Sequence, residues 1–222
     1  MQLKARNGTD CGQALVDERK LKLAQTLLSK ARTTERRLDQ RLLVAAAFTT
    51  VMQSSPIVVG GTAEEYWTRD EYQPTDLDLI PGPSLADEAA FKEIGLEKEG
   101  RHWVSKDLPV ATEFPHDTSF EVMRTSHIAV GGVDVKVIGV DDLYLERLGQ
   151  TTMSESTDHV HFASVLAVAV ANWGQLDWSY IEKRIRDTIA SNPRLGASLM
   201  KMHRICRRVA RKELARARAE AL

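Results

Sequence analysis

Two short segments decide how this chain reads: Ile57-Val58-Val59-Gly60-Gly61-Thr62 and, a little further on, Pro74-Thr75-Asp76-Leu77-Asp78-Leu79-Ile80. The first is an apolar run too short for a helix, closed by two glycines and a hydroxyl. The second alternates carboxylate and leucine. Successive side chains of a strand point to opposite faces, so Asp76 and Asp78 share one face while Leu77 and Leu79 share the other. The leucines can anchor the strand in a core, and the carboxylates are left side by side.

Two adjacent carboxylates repel, and burying them without a counter-charge is costly. A divalent cation resolves that conflict. Mg²⁺ takes oxygen ligands and commonly uses one or two carboxylates together with substrate phosphates. Gly60 and Gly61 permit close backbone approach. Their N–H groups, with the Thr62 hydroxyl, can cradle phosphate oxygens near the start of a helix. A site of this kind wants a third carboxylate from a neighbouring strand, and there are two candidates. Glu113 lies in Val110-Ala111-Thr112-Glu113-Phe114-Pro115, where apolar neighbours can bury the strand. Asp134 alternates with valines in Val133-Asp134-Val135-Lys136-Val137, which suits a solvated face. Glu113 is the preferred candidate.

Outward from this centre, residues 13 to 32 read as a helix. Thr33 or Thr34 is placed to cap a second helix carrying Leu38, Leu42, Leu43, Ala46, Phe48 and Val51, which ends at Ser54-Ser55-Pro56. Helical spacing continues around Ala63 to Trp67 and from Leu85 to Ile94. Trp103-Val104, Leu108 to Phe114 and Ser119 to Met123 read as strands, and Ile128 to Ile138 as a hairpin around Gly131-Gly132. After Gly139 the period changes from two to about 3.6. Helices are expected over 140–148, 159–173 and 178–190, and from Leu195 to the end, with Leu195, Leu199, Met202, Cys206 and Val209 as the apolar seam of the last. The fold class is therefore α+β: a small mixed sheet flanked by helices, then a helical C-terminal region. The expected divisions are an N-terminal helical arm over 1–35, a core over 36–139 and a helical region over 140–222.

The chain has 222 residues, is 43% hydrophobic and 27% charged, and has a formal net charge of −1, which suits a water-soluble domain with a real core and excludes a uniformly basic nucleic-acid binder. The charge is uneven: from Lys201 onward there are eight Lys/Arg and two Glu. That helix is either an RNA-contacting surface or a solvated face whose apolar residues pack inward. Cys11 and Cys206 have no metal-ligand spacing, and the six histidines offer no ligand set for zinc. Met1 to Asn7 has no apolar core behind its charges, and no apolar run approaches the length of a membrane span. A cytoplasmic protein without a membrane partner is expected. Tyr66 and Trp67, close to the glycines, are core residues or a stacking surface for a base.

Val58-Val59-Gly60-Gly61-Thr62 followed by Thr75-Asp76-Leu77-Asp78-Leu79 resembles the nucleotidyltransferase superfamily of the DNA polymerase β type, in particular its minimal bacterial and archaeal members, including those used as toxins in toxin–antitoxin and abortive-infection systems. Glu113-Phe114-Pro115 is similar to the strand that carries the family's third carboxylate. Val140-Asp141-Asp142-Leu143-Tyr144-Leu145-Glu146-Arg147-Leu148 is similar to a later helix, and Asp158 to an acid at the start of the next. The match spans roughly residues 38 to 185.

The resemblance implies transfer of a nucleoside monophosphate from an NTP to an acceptor, with release of pyrophosphate. Asp76, Asp78 and Glu113 would hold Mg²⁺ (or Mn²⁺), and Glu113 would help deprotonate the acceptor. Gly60, Gly61 and Thr62 would hold the triphosphate. Arg147 would neutralise phosphate charge, or else pair with a nearby acid such as Glu146 or Asp142. The implied partners are a tRNA or protein acceptor, an antitoxin and a second copy of the chain. The alternatives are a non-catalytic nucleotide-binding or assembly module of the same fold, and a small-molecule (aminoglycoside) nucleotidyltransferase.

Overall fold

A computed structural model of the protein describes residues 17–69, 74–115, 120–152 and 160–220. Among them the elements run α1 (Glu18–Arg32), α2 (Arg37–Val51), β1 (Ile57–Val59), α3 (Gly60–Thr68), β2 (Asp76–Ile80), α4 (Leu85–Glu93), β3 (Glu97–Glu99), β4 (His102–Ser105), β5 (Leu108–Glu113), β6 (Thr125–Val130), β7 (Val133–Ile138), α5 (Val140–Thr151), α6 (Val160–Ala171), α7 (Trp178–Ser191) and α8 (Pro193–Glu220). The architecture is α+β, and the strands form one mixed sheet in the order β3-β4-β5-β2-β1-β7-β6.

Pairing fixes which residues share a face. β2 runs antiparallel to β1, with Val58 opposite Leu79 and Val59 opposite Asp78. It runs parallel to β5, with Leu77 beside Thr112 and Asp78 beside Glu113. β1 also runs parallel to β7, with Val58 beside Val137. One face of the sheet therefore presents Val58, Leu77, Leu79, Val110, Thr112, Val135 and Val137, all buried. Helix α2 covers this face and is itself covered by α1, whose Ala24, Leu27, Leu28 and Ala31 are buried. The opposite face carries Asp76, Asp78 and Glu113, each half-buried. A single apolar cluster takes in side chains from α1 through to α8.

Local chemistry explains the element ends. Asp17 caps α1 by accepting from Arg19 N at 2.9 Å, and Ser84 with Asp87 forms a capping box on α4. Gly131 and Gly132, at φ 57° and 85°, make the two-residue turn between β6 and β7. Pro193 opens α8, where a missing N–H costs nothing.

Several expectations need correction. Thr33 and Thr34 do not cap α2; their hydroxyls donate to Lys30 O at the end of α1, and α2 starts behind Arg36 with no side-chain cap. Phe120 to Met123 form no strand, and Met123 N instead donates to Asp142 Oδ2 at 2.7 Å. The seam of α8 is Leu199, Met202, Cys206 and Ala210; Leu195 is exposed and Val209 only half-buried. β3 was not anticipated. Residues 13–16, Ser119, Asp158 and His159 lie outside the described residues.

Candidate functional site

The site sits where β1 ends, one strand away from the end of β5. Gly60 has φ +62°, a left-handed conformation that turns the chain from β1 directly into α3. A Cβ built on Gly60 would lie 1.9 Å from Asp78 Oδ2. Glycine is thus required here on two counts, backbone conformation and space. Val59, at the N-cap of α3, offers no side-chain acceptor to the first turn, and the Gly61 N–H donates to the Asp78 carboxylate. Thr62 is fully buried, and its hydroxyl donates to Asp76 O at 2.9 Å. It braces α3 against β2, so its hydroxyl proton is committed to the backbone and not turned outward.

Register alone brings the three acids together. Asp76 and Asp78 share a face of β2, and Glu113 lies beside Asp78 on β5. One oxygen from each falls within 4.8 Å of the others. Asp134 does not join them. It lies on the β6–β7 hairpin, exposed, 2.7 Å from His127 Nδ1. Burial, with the neighbouring charges of Asp76 and Glu113, pushes the Asp78 carboxyl up to about 6, against the opposing pull of the Gly61 N–H and the Arg147 charge. Such a cluster is short of positive charge. An all-oxygen donor set of this size fits a hard divalent ion such as Mg²⁺ or Mn²⁺.

Arg101 and His102, not singled out in the sequence, complete the surroundings together with Arg147. Arg101 Nε lies 3.3 Å from Glu113 Oε2, and His102 Nε2 lies 3.6 Å from the same oxygen. His102 sits opposite Glu113 in the antiparallel β4–β5 pair, so a hairpin register drawn on the sequence would have found it. Arg147 is buried on α5. Its Nε lies 2.8 Å from Glu64 Oε2, and Nη1 donates to Gln150 Oε1 at 3.0 Å. The neighbouring acids expected to hold it are engaged elsewhere: Asp142 accepts from Arg124 N and Tyr180 Oη, and Glu146 from Phe120 N. Glu64 also accepts from Ser164 Oγ at 2.7 Å. On the next position of α3, Glu65 forms a buried ion pair with Arg41, which also donates to Pro74 O. Two consecutive glutamates of α3 therefore tie the helix behind the Gly-Gly turn to α5 and α2. Trp67 donates from Nε1 to Ile138 O at 2.9 Å and packs edge-on against Tyr66, which makes both rings part of the frame.

Compared with protein-family models, with curated proteins and with solved structures, the chain matches none. What can be said of the site rests on its own residues.

Proposed function

We propose that this chain is a metal-dependent nucleotidyltransferase that moves a nucleoside monophosphate from an NTP to an acceptor hydroxyl and releases pyrophosphate. The observation that carries the reading is the convergence of Asp76, Asp78 and Glu113 beside the Gly60–Gly61 turn. The triphosphate lies against the first turn of α3, where N–H groups and the helix dipole favour an anion. Arg147, buried behind the acids, adds positive charge to the same place.

Asp76, Asp78 and Glu113 would hold Mg²⁺ or Mn²⁺, which supplies charge neutralisation for the phosphates and polarises the reacting oxygens. The acceptor oxygen attacks the α-phosphorus, and the bond from that phosphorus to the bridging oxygen of the β-phosphate breaks. The acceptor proton passes to Glu113, whose outer oxygen already faces Arg101 and His102. A tRNA or protein acceptor, and a toxin role opposed by an antitoxin, follow from the family resemblance alone. Among the described residues no helix is long and apolar enough to cross a membrane.

The test is incubation of the protein with each α-labelled NTP, Mg²⁺ or Mn²⁺, and RNA or protein extract. Label should appear in an acceptor and be lost in Asp76→Ala/Asp78→Ala. Absence of label with every NTP and both extracts overturns the proposal.

A further inference from the structure

β6 ends the sheet on the side away from β3, and among the described residues no strand pairs with its outer side. Its register with β7 runs from Thr125 opposite Ile138 to Val130 opposite Val133. Hydrogen-bonded and non-bonded pairs alternate along such an antiparallel ladder. One step beyond the ladder Gly139 N donates to Arg124 O at 2.8 Å, so Arg124, Ser126, Ile128 and Val130 turn their backbone groups toward β7. Thr125, His127 and Ala129 turn theirs outward. These three residues are exposed and offer three N–H donors and three carbonyl acceptors. Sheet edges are commonly blunted by charge or proline. Thr125 to Val130 contains no Lys, Arg, Asp, Glu or Pro, and Thr125, Ile128 and Val130 are β-branched.

A cavity beside this edge is an independent observation. It measures about 390 Å³ and lies between α1, α2 and β6. Leu42 and Leu43 of α2 and Ile128 and Val130 of β6 give it an apolar lining, the two β6 side chains lying on the sheet face that α2 covers. A strand added to β6 would set every second side chain on that same face, over the cavity. Two exposed charged residues, Lys30 and Asp39, also border it. Asp39 faces Arg36 Nη1 at 3.5 Å. Lys30 has no carboxylate of the described residues within ion-pair distance.

We propose that the outer edge of β6 is a docking site for an extended segment of another protein, which adds a strand to the sheet, sends alternate aliphatic side chains into the cavity and sets a carboxylate on Lys30. The outward backbone groups give affinity whatever the sequence of the segment, and the cavity selects its side chains. Lys30 supplies the charge complementarity that favours an acidic residue beside the aliphatic ones. A second copy of the chain, paired antiparallel over the whole of β6, fits less well. His127 would lie opposite His127 and Ser126 opposite Ile128, so a serine and not an aliphatic side chain would meet the cavity. Nucleic acid has neither a row of amides nor aliphatic side chains to offer. This assignment uses no residue of the carboxylate site and holds whether or not the protein transfers nucleotides.

The test is selection of short random peptides, displayed on phage, against the full-length protein, followed by fluorescence anisotropy with the selected peptide carrying a label. Selected peptides should alternate valine, isoleucine or leucine with polar residues and carry an aspartate or glutamate. N-methylation of alternate peptide amides should abolish binding in one phase and spare it in the other. Ala129→Pro removes one outward donor and none of the bonds to β7, and should weaken binding about tenfold. Lys30→Glu should weaken binding of the acidic peptide and restore it for a peptide with lysine at the acidic position. Asp76→Ala/Asp78→Ala should bind like the parent. No selected peptide, peptides without the alternation, binding indifferent to the phase of N-methylation, undiminished binding by a folded Ala129→Pro protein, or a dimer in sedimentation velocity that Ala129→Pro dissociates would each overturn the proposal.

Discussion

The carboxylate of Asp78 occupies the space that a side chain on Gly60 would need, since a Cβ there would lie 1.9 Å from Asp78 Oδ2. The turn out of β1 and the acid of β2 are thus fitted to one another. Gly60→Ala meets two obstacles, this overlap and a φ of +62°. A left-handed alanine costs about 1–2 kcal/mol before any displacement of Asp78 is counted. We expect a loss of at least that size in urea unfolding, and loss of divalent-cation binding together with any nucleotidyl transfer. Unchanged cation binding in a folded Gly60→Ala protein would show that Asp78 is not part of a metal site.

Asp78 also sets a pH signature for the metal-free protein. Its carboxyl is raised from 3.8 in the unfolded reference to about 6 in the fold, first by burial and then by Asp76 and Glu113. The folded state therefore binds the proton more tightly than the unfolded state. The stabilisation is fully present below pH 4 and is lost as pH rises through about 6. Allowing for partial solvent screening, the size is about 1–2 kcal/mol. In the presence of a chelator, Asp78→Asn should be more stable than the parent at pH 7.5 by about that amount, and should lack the loss between pH 4 and 6. Identical profiles for the two proteins would contradict the crowding of the three acids.

Cation binding should be visible as stabilisation independent of turnover. A ligand present at a hundred times its Kd raises stability by about 2.7 kcal/mol. Titration with Mg²⁺ or Mn²⁺ should raise Tm in the parent and leave Asp76→Ala/Asp78→Ala unmoved, and Glu113→Gln should require more metal. Asp134→Asn, altered on the hairpin away from the cluster, should respond as the parent does. A flat Tm in the parent would remove the metal from the proposed site.

The pair of Arg147 and Glu64 is buried, so removing either partner leaves the other charged and alone. Arg147→Met should destabilise by about 3 kcal/mol, with much of that recovered in Arg147→Met/Glu64→Gln. Denaturant unfolding of both variants and of Glu64→Gln completes a thermodynamic cycle. Additive losses would mean the two side chains do not support one another.

The sheet's interior was readable because its strands alternate. Leu77 and Leu79, Val135 and Val137 announce both strand and buried face, and the position of Asp76 and Asp78 on the other face follows. The apolar context of its strand favours Glu113 over Asp134, and the register places Glu113 beside Asp78. Three-dimensional partnerships were not legible. Glu64 and Glu65 look like two solvent-facing charges of an ordinary helix, yet both are buried against arginines more than twenty residues away. Thr33 and Thr34 have the chemistry of an N-cap, but they sit three and two residues ahead of the N-cap position, Arg36, and their hydroxyls fold back on α1. Ser119 to Met123 has strand-like residues, but over the described part, Phe120 to Met123, the N–H groups of Phe120 and Met123 go to the Glu146 and Asp142 side chains and not to a neighbouring strand. β3 escaped because Glu97-Lys98-Glu99 contains nothing apolar to alternate with.

That charged trio has a consequence for how copies of the chain meet. Among the described residues β3 is a border of the sheet, with no strand paired to its outer side and all three side chains exposed. A second copy that approached this border in antiparallel fashion would set Lys98 against Lys98, and Glu97 against Glu99 on both sides. Like charges directly opposite one another oppose pairing. The sheet carries its own stop signal at this end, and fibre-like growth by strand addition is discouraged by three consecutive residues.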